Sequence, residues 1–133
     1  MTEIKKLTKI SLLAYGTVCF IYFILTTFLL DMLLPASTGL NNPFHPRMFG
    51  GALLVVTIYS FLIVIKKSWE WEKIKLTFEF MYSWILVNII VEASLLALYG
   101  SLYPAIVPTV ILDLIIMPIL LALGIASYIK QRG

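Results

Sequence analysis

The chain has 133 residues, of which 61% are hydrophobic and only 13% charged, with a mean hydropathy of +0.99. A soluble domain of this length needs far more polar surface, so the composition points to one domain whose natural solvent is a lipid bilayer. The net charge of +3 sits in short clusters beside apolar runs, which is the pattern of membrane orientation and argues against nucleic-acid binding.

The N-terminal segment is short and basic, with Lys5, Lys6 and Lys9. The apolar run that follows, residues 10–34, is about 25 residues long and crosses a bilayer with some tilt at about 1.5 Å per residue. A basic start before an apolar run also describes a signal peptide. That apolar core is only about 7–15 residues, however, and Leu34-Pro35-Ala36-Ser37 matches a cleavage site poorly. The run is therefore read as a retained span. Its lone Cys19 has no intramolecular disulfide partner and is read as a small packing residue.

Residues 35–46 read as a loop, because Asn41-Asn42-Pro43 and Pro46 oppose a continuing helix. Arg47 opens the second span, residues 48–65. Gly50, Leu54, Thr57 and Phe61 share one face there, and glycine on a membrane helix lets a neighbouring backbone come close. Residues 66–75 interleave Lys66, Lys67, Lys73 and Lys75 with Trp69 and Trp71, the composition of a membrane–water interface. The third span is residues 76–99. A tight turn at residues 100–104 leads to the fourth, residues 105–129, where Pro118 is expected to kink the helix. The reading is an all-α, polytopic membrane protein: an antiparallel four-helix bundle.

Orientation follows from the basic residues. The N-terminal segment, the 66–75 connection and the C-terminus share one side and hold nine of the ten lysines and arginines, with Arg47 alone opposite. That asymmetry places both termini in the cytoplasm of a cell-membrane protein.

Ionisable groups inside spans are functional candidates, since each charge costs about 2.5–3.5 kcal/mol at mid-helix. Glu92 lies roughly 10 Å in from the outer end of the third span, and Asp113 roughly 13 Å in from the same side on the fourth, at about 1.5 Å per residue. Asn88 is one turn from Glu92 on the same face. Asp31, near the outer end of the first span, and Arg47, at the mouth of the second, complete an expected outer-half pocket of Asp31, Asn88, Glu92 and Asp113 with Arg47 above it. Two carboxyls close together in low dielectric do not easily both ionise, so a shared proton is expected, and the pair suits proton coupling or a cationic or hydroxylated ligand. The competing structural readings are an Asp31–Arg47 ion pair and carboxyls that merely hydrogen-bond a neighbour. Glu79 falls about half a turn away from Asn88 and is left out of the pocket. His45 stands in a loop without a second histidine or a cysteine partner, so no metal is expected, and no motif calls for a cofactor.

Arg47-Met48-Phe49-Gly50-Gly51 resembles the Arg-x-x-Gly-Gly pattern of small DoxX-like four-helix membrane families of unknown function, and Asp113 resembles the acidic residue those families often carry near the start of the last span. The resemblance implies a compact four-helix bundle and no activity. Small multidrug transporters are less similar, since they carry a Glu well inside the first helix, where this chain has aromatics, Thr and Cys. Three functions stay open: binding or transport of a small ligand or proton, an accessory subunit docking a larger membrane partner, and an acid–base enzyme on a lipid-like substrate. Oligomeric state stays open as well, a homodimer or a larger membrane partner both being compatible, because a lone bundle of short spans encloses little volume.

Overall fold

The computed structural model describes residues 2–34 and 44–133. Its helices are α1 (Lys6–Phe28), α2 (Leu30–Leu33), α3 (Phe44–Ile65), α4 (Trp71–Tyr99) and α5 (Val107–Arg132), with a 3-10 turn at Pro104–Ile106 leading into α5. Four of these are long and apolar enough to cross a membrane. The end carrying Lys66, Lys75 and Lys130 is called the basic end here, and the opposite end the far end.

Burial is inverted relative to a water-soluble bundle. The buried faces are rich in small and hydroxylated residues: Thr8, Ser11 and Gly16 on α1, Gly50, Thr57 and Ser60 on α3, and Gly124 and Ser127 on α5. Large aliphatics point outward, with Leu76 78% and Ile65 72% exposed. In hydrocarbon an outward leucine loses nothing, whereas close packing between helices gains dispersion and interhelical hydrogen bonds.

α1 and α3 pack along most of their length. A side chain at Gly16 would strike Ser60 Cβ at 2.8 Å, and one at Gly50 would strike the hydroxyls of Thr26 and Thr27. The hydroxyl of Thr57 is shared between the carbonyls of Gly16 (3.1 Å) and Leu53 (2.9 Å), tying the two helices together. Gly50 thus takes the expected packing role, while Gly51 has nothing within 4 Å.

The core is concentrated toward the basic end. There Trp71, Phe78 and Tyr128 form an edge-to-face and stacked aromatic cluster, with ring centroids 5.4 Å apart for Trp71–Phe78 and 5.7 Å for Trp71–Tyr128. The hydroxyl of Tyr15 donates to the Met81 carbonyl at 3.1 Å, and Ser11 and Tyr82 hydrogen-bond across α1 and α4. Gln131 closes this end: its Oε1 accepts from the Lys5 N–H (2.9 Å) and the Thr8 hydroxyl (3.0 Å), and its Nε2 donates to the Glu3 carbonyl (2.7 Å).

Several boundaries differ from the sequence reading. The first apolar run is interrupted at Leu29, whose φ of −123° and ψ of 37° end α1 before the short α2. Part of the expected 35–46 loop, residues 35–43, lies outside the described residues, and α3 already begins at Phe44, with Pro46 in its first turn. Proline costs little there, where the amide would have no helical partner. α4 starts at Trp71, several residues earlier than residue 76, because the Thr2 carbonyl accepts the Trp71 N–H at 2.9 Å and the Glu72 carboxylate accepts from the Thr2 hydroxyl at 2.5 Å. Trp71 is consequently a core residue rather than an interfacial one. α5 runs without interruption through Pro118.

Candidate functional site

Toward the far end α4 and α5 lose their buried residues, while α1 and α3 stay in contact at Gly50 and Thr26. From Leu86 to Tyr99 no residue of α4 is buried, and from Val107 to Ile119 none of α5. The space that opens holds the polar groups of the spans.

A cavity of about 80 Å³ lies at the top of the core, walled by Tyr15, Cys19 and Tyr22 of α1, Phe49 and Leu53 of α3, Trp84, Asn88 and Glu92 of α4, and Asp113 and Met117 of α5. At roughly 10–15 Å³ of such volume per water, it has room for several waters or one small organic group. Tyr22, Phe49, Glu92 and Asp113 also line a wider cleft of about 510 Å³ that reaches Leu30, Leu33 and His45 at the far end. A third space of about 240 Å³ lies between the far halves of α4 and α5, bounded by Glu92, Leu95, Leu96, Tyr99, Val107 and Val110. Glu92 stands where all three meet.

The two carboxyls are held differently. The Tyr22 hydroxyl donates to Asp113 Oδ1 across the α1–α5 interface, so Asp113 has a fixed partner. Glu92 and Asp113 line the same cavity and the same wide cleft. Yet Glu92 Oε2 is buried with no hydrogen-bond partner among the described residues. A sheltered acceptor left unpaired costs about 1–3 kcal/mol, so such groups need a reason. Asn88 spends one amide hydrogen on its own helix, donating to the Trp84 carbonyl at 2.8 Å. Neither lysine nor arginine lines any of these three spaces among the described residues.

The structure therefore brings together Asn88, Glu92 and Asp113 of the expected pocket. It does not bring Asp31 or Arg47 to it: both are exposed at the far rim, Asp31 in the first turn of α2 and Arg47 in the first turns of α3. Helix phase is the reason. Leu30, Leu33 and Leu34 turn toward the cleft, which leaves Asp31 on the other side of α2, and Pro46 and Phe49 do the same to Arg47. The ion pairs among the described residues, Lys9–Glu3, Lys73–Glu70 and Lys75–Glu79, all belong to the basic end, and the expected Asp31–Arg47 pair is not one of them. Glu79 also lies at that end, accepting from the Tyr128 hydroxyl at 2.5 Å. Among the described residues no group of three or more metal-ligating side chains occurs.

Sequence reasoning missed Tyr22. A phenol in mid-span needs a hydrogen-bond partner in hydrocarbon, so its position was itself a signal that a polar group faces it from another helix.

A scan against protein-family models finds no match for this chain, and searches of curated proteins and of solved structures find no similar protein either.

Proposed function

We propose that this chain is a cell-membrane protein, with the basic end and both termini in the cytoplasm, that binds or transports a small cationic or hydroxylated ligand, or a proton, through the far-half pocket. The observation that carries this reading is Glu92 Oε2: an acceptor sheltered at the junction of three cavities, beside a second carboxyl, with no partner among the described residues. A ligand cation or hydroxyl would supply the missing donor and offset the Glu92–Asp113 repulsion. The test is a thermal-shift screen of the detergent-purified protein against small amines and polyols. A compound that stabilises the native chain but not Glu92→Gln or Asp113→Asn supports the reading. Failure of every amine and polyol to discriminate them refutes it.

The uncovered far halves of α4 and α5 favour a second reading, an accessory subunit whose partner helix lies against them. Tryptophans at the exposed Ala93 and Ala97 would then abolish co-purification of that partner and leave the thermal-shift response intact.

A further inference from the structure

Resting on that reading of the pocket, we infer that the ligand is a single-chain amphiphile with a cationic head, entering sideways from the far leaflet between α4 and α5. Three observations converge on this class.

The first is charge. Two carboxyls face the junction, neither lysine nor arginine lines any of the adjoining spaces among the described residues, and His45 stands only at the far mouth of the wide cleft. A positive head is therefore complementary, and an anionic one would meet carboxyl oxygens with neither lysine nor arginine beside them among the described residues. The second is shape. The α4–α5 groove runs from Glu92 to Tyr99, about 10 Å at 1.5 Å per residue, and its walls beyond Glu92 are apolar or aromatic side chains such as Leu95, Leu96, Val107 and Val110. That is a chain-shaped space ending on a carboxyl. The third is access. Leu95 (48% exposed) and Tyr99 (47%) line the groove and are themselves exposed where acyl chains would lie, so the groove borders the leaflet and its occupant need not pass through water.

The head then rests between Glu92 and Asp113, on the far side of the Tyr22 hydroxyl, and the tail lies along the groove. Tail length acts through position more than through affinity, since lipid is as apolar as the groove.

The experiment places the protein in phosphatidylcholine nanodiscs with a dodecylamine that carries a photoactivatable diazirine in its tail, and maps the adducts by mass spectrometry. The expected result is adducts concentrated on Leu95, Leu96, Val107 and Val110, displaced by unlabelled dodecylamine and lost in Glu92→Gln. Leu96→Trp and Val107→Trp, which fill the groove from opposite walls, should each reduce labelling at least severalfold while small-amine stabilisation persists. Adducts spread evenly over outward residues such as Ile119 and Ile129 overturn the inference. So does equal saturable labelling by a diazirine fatty acid, whose head is negative. If small amines stabilise the protein but the groove is never labelled, the pocket reading stands and this one falls. If polyols bind at the pocket but no amine does, the pocket reading again stands and this one falls; if neither amines nor polyols bind there, both fall.

Discussion

Glu92 and Asp113 are two acids on neighbouring helices at similar depth, and the structure assigns them opposite effects on stability. Replacing Glu92 by leucine removes a sheltered oxygen that has no partner among the described residues and relieves its repulsion with Asp113. An unpaired buried acceptor costs about 1–3 kcal/mol, and Glu92 is only partly buried, so the lower part of that range applies. Glu92→Leu should stabilise by roughly 1 kcal/mol, a rise in Tm of about 3–5 °C for a chain of this size. Asp113→Leu removes the acceptor of the Tyr22 hydroxyl and leaves that phenol unpaired in the span. It should destabilise by about 1–3 kcal/mol. Asp113→Asn keeps an oxygen that can accept from Tyr22 and should sit close to the native chain. The assay is thermal unfolding in detergent followed by intrinsic fluorescence, with all variants at one pH and one detergent concentration. Stability traded away at a site is the common signature of function, so the upward shift for Glu92→Leu is the informative one. Both leucine variants moving in the same direction would refute the reasoning, because the difference rests wholly on one acid having a partner and the other lacking one among the described residues.

Further outcomes follow from packing. A methyl group at Gly124 would run into the Tyr82 ring, whereas one at Gly51 meets nothing within 4 Å. Gly124→Ala should cost about 1–3 kcal/mol and weaken the Ser11–Tyr82 bond, and Gly51→Ala should be neutral or stabilise by up to about 1 kcal/mol, both read as Tm. Thr57→Val deletes the bridge to the Gly16 carbonyl and should cost about 0.6–1.7 kcal/mol, with α1 and α3 loosening as measured by cross-linking of paired cysteines. Gln131→Leu strips two hydrogen bonds from the N-terminal segment, at Lys5 and Glu3, and one from Thr8 of α1, so amide exchange at Lys5 should accelerate at least tenfold while exchange in α3 stays unchanged. Protection unaltered at Lys5 would show that Gln131 does not pin this segment. With the buried Cys19 replaced by alanine, a cysteine at Lys67 should react with an impermeant thiol reagent only in inside-out vesicles, and reaction in right-side-out vesicles would reverse the proposed orientation.

How much was legible beforehand depends on which physical constraint is in play. Hydrocarbon forbids unpaired backbone groups, so a long apolar run must be a helix, and the four spans could be read from composition alone. Helix geometry likewise placed Asn88 and Glu92 on one face, because residues four apart always share one. The rotation of each helix about its axis was another matter. In a water-soluble bundle an apolar stripe points to the core, but here lipid-facing and protein-facing sides are equally greasy, and periodicity carries almost no signal. Phase was decided by where backbones could approach: Gly16 against Ser60, Gly50 against Thr26, Gly124 against Tyr82. Those contacts, made only in the assembled bundle, turned Asp113 toward Tyr22 and Glu92, drew Trp71 into the aromatic cluster, and left Asp31 and Arg47 on the rim. The sequence by itself determined that there are four membrane-length helices with acids inside them. Tertiary packing decided which acids meet, because that depends on matched small residues on two helices at once, and no single segment carries that information.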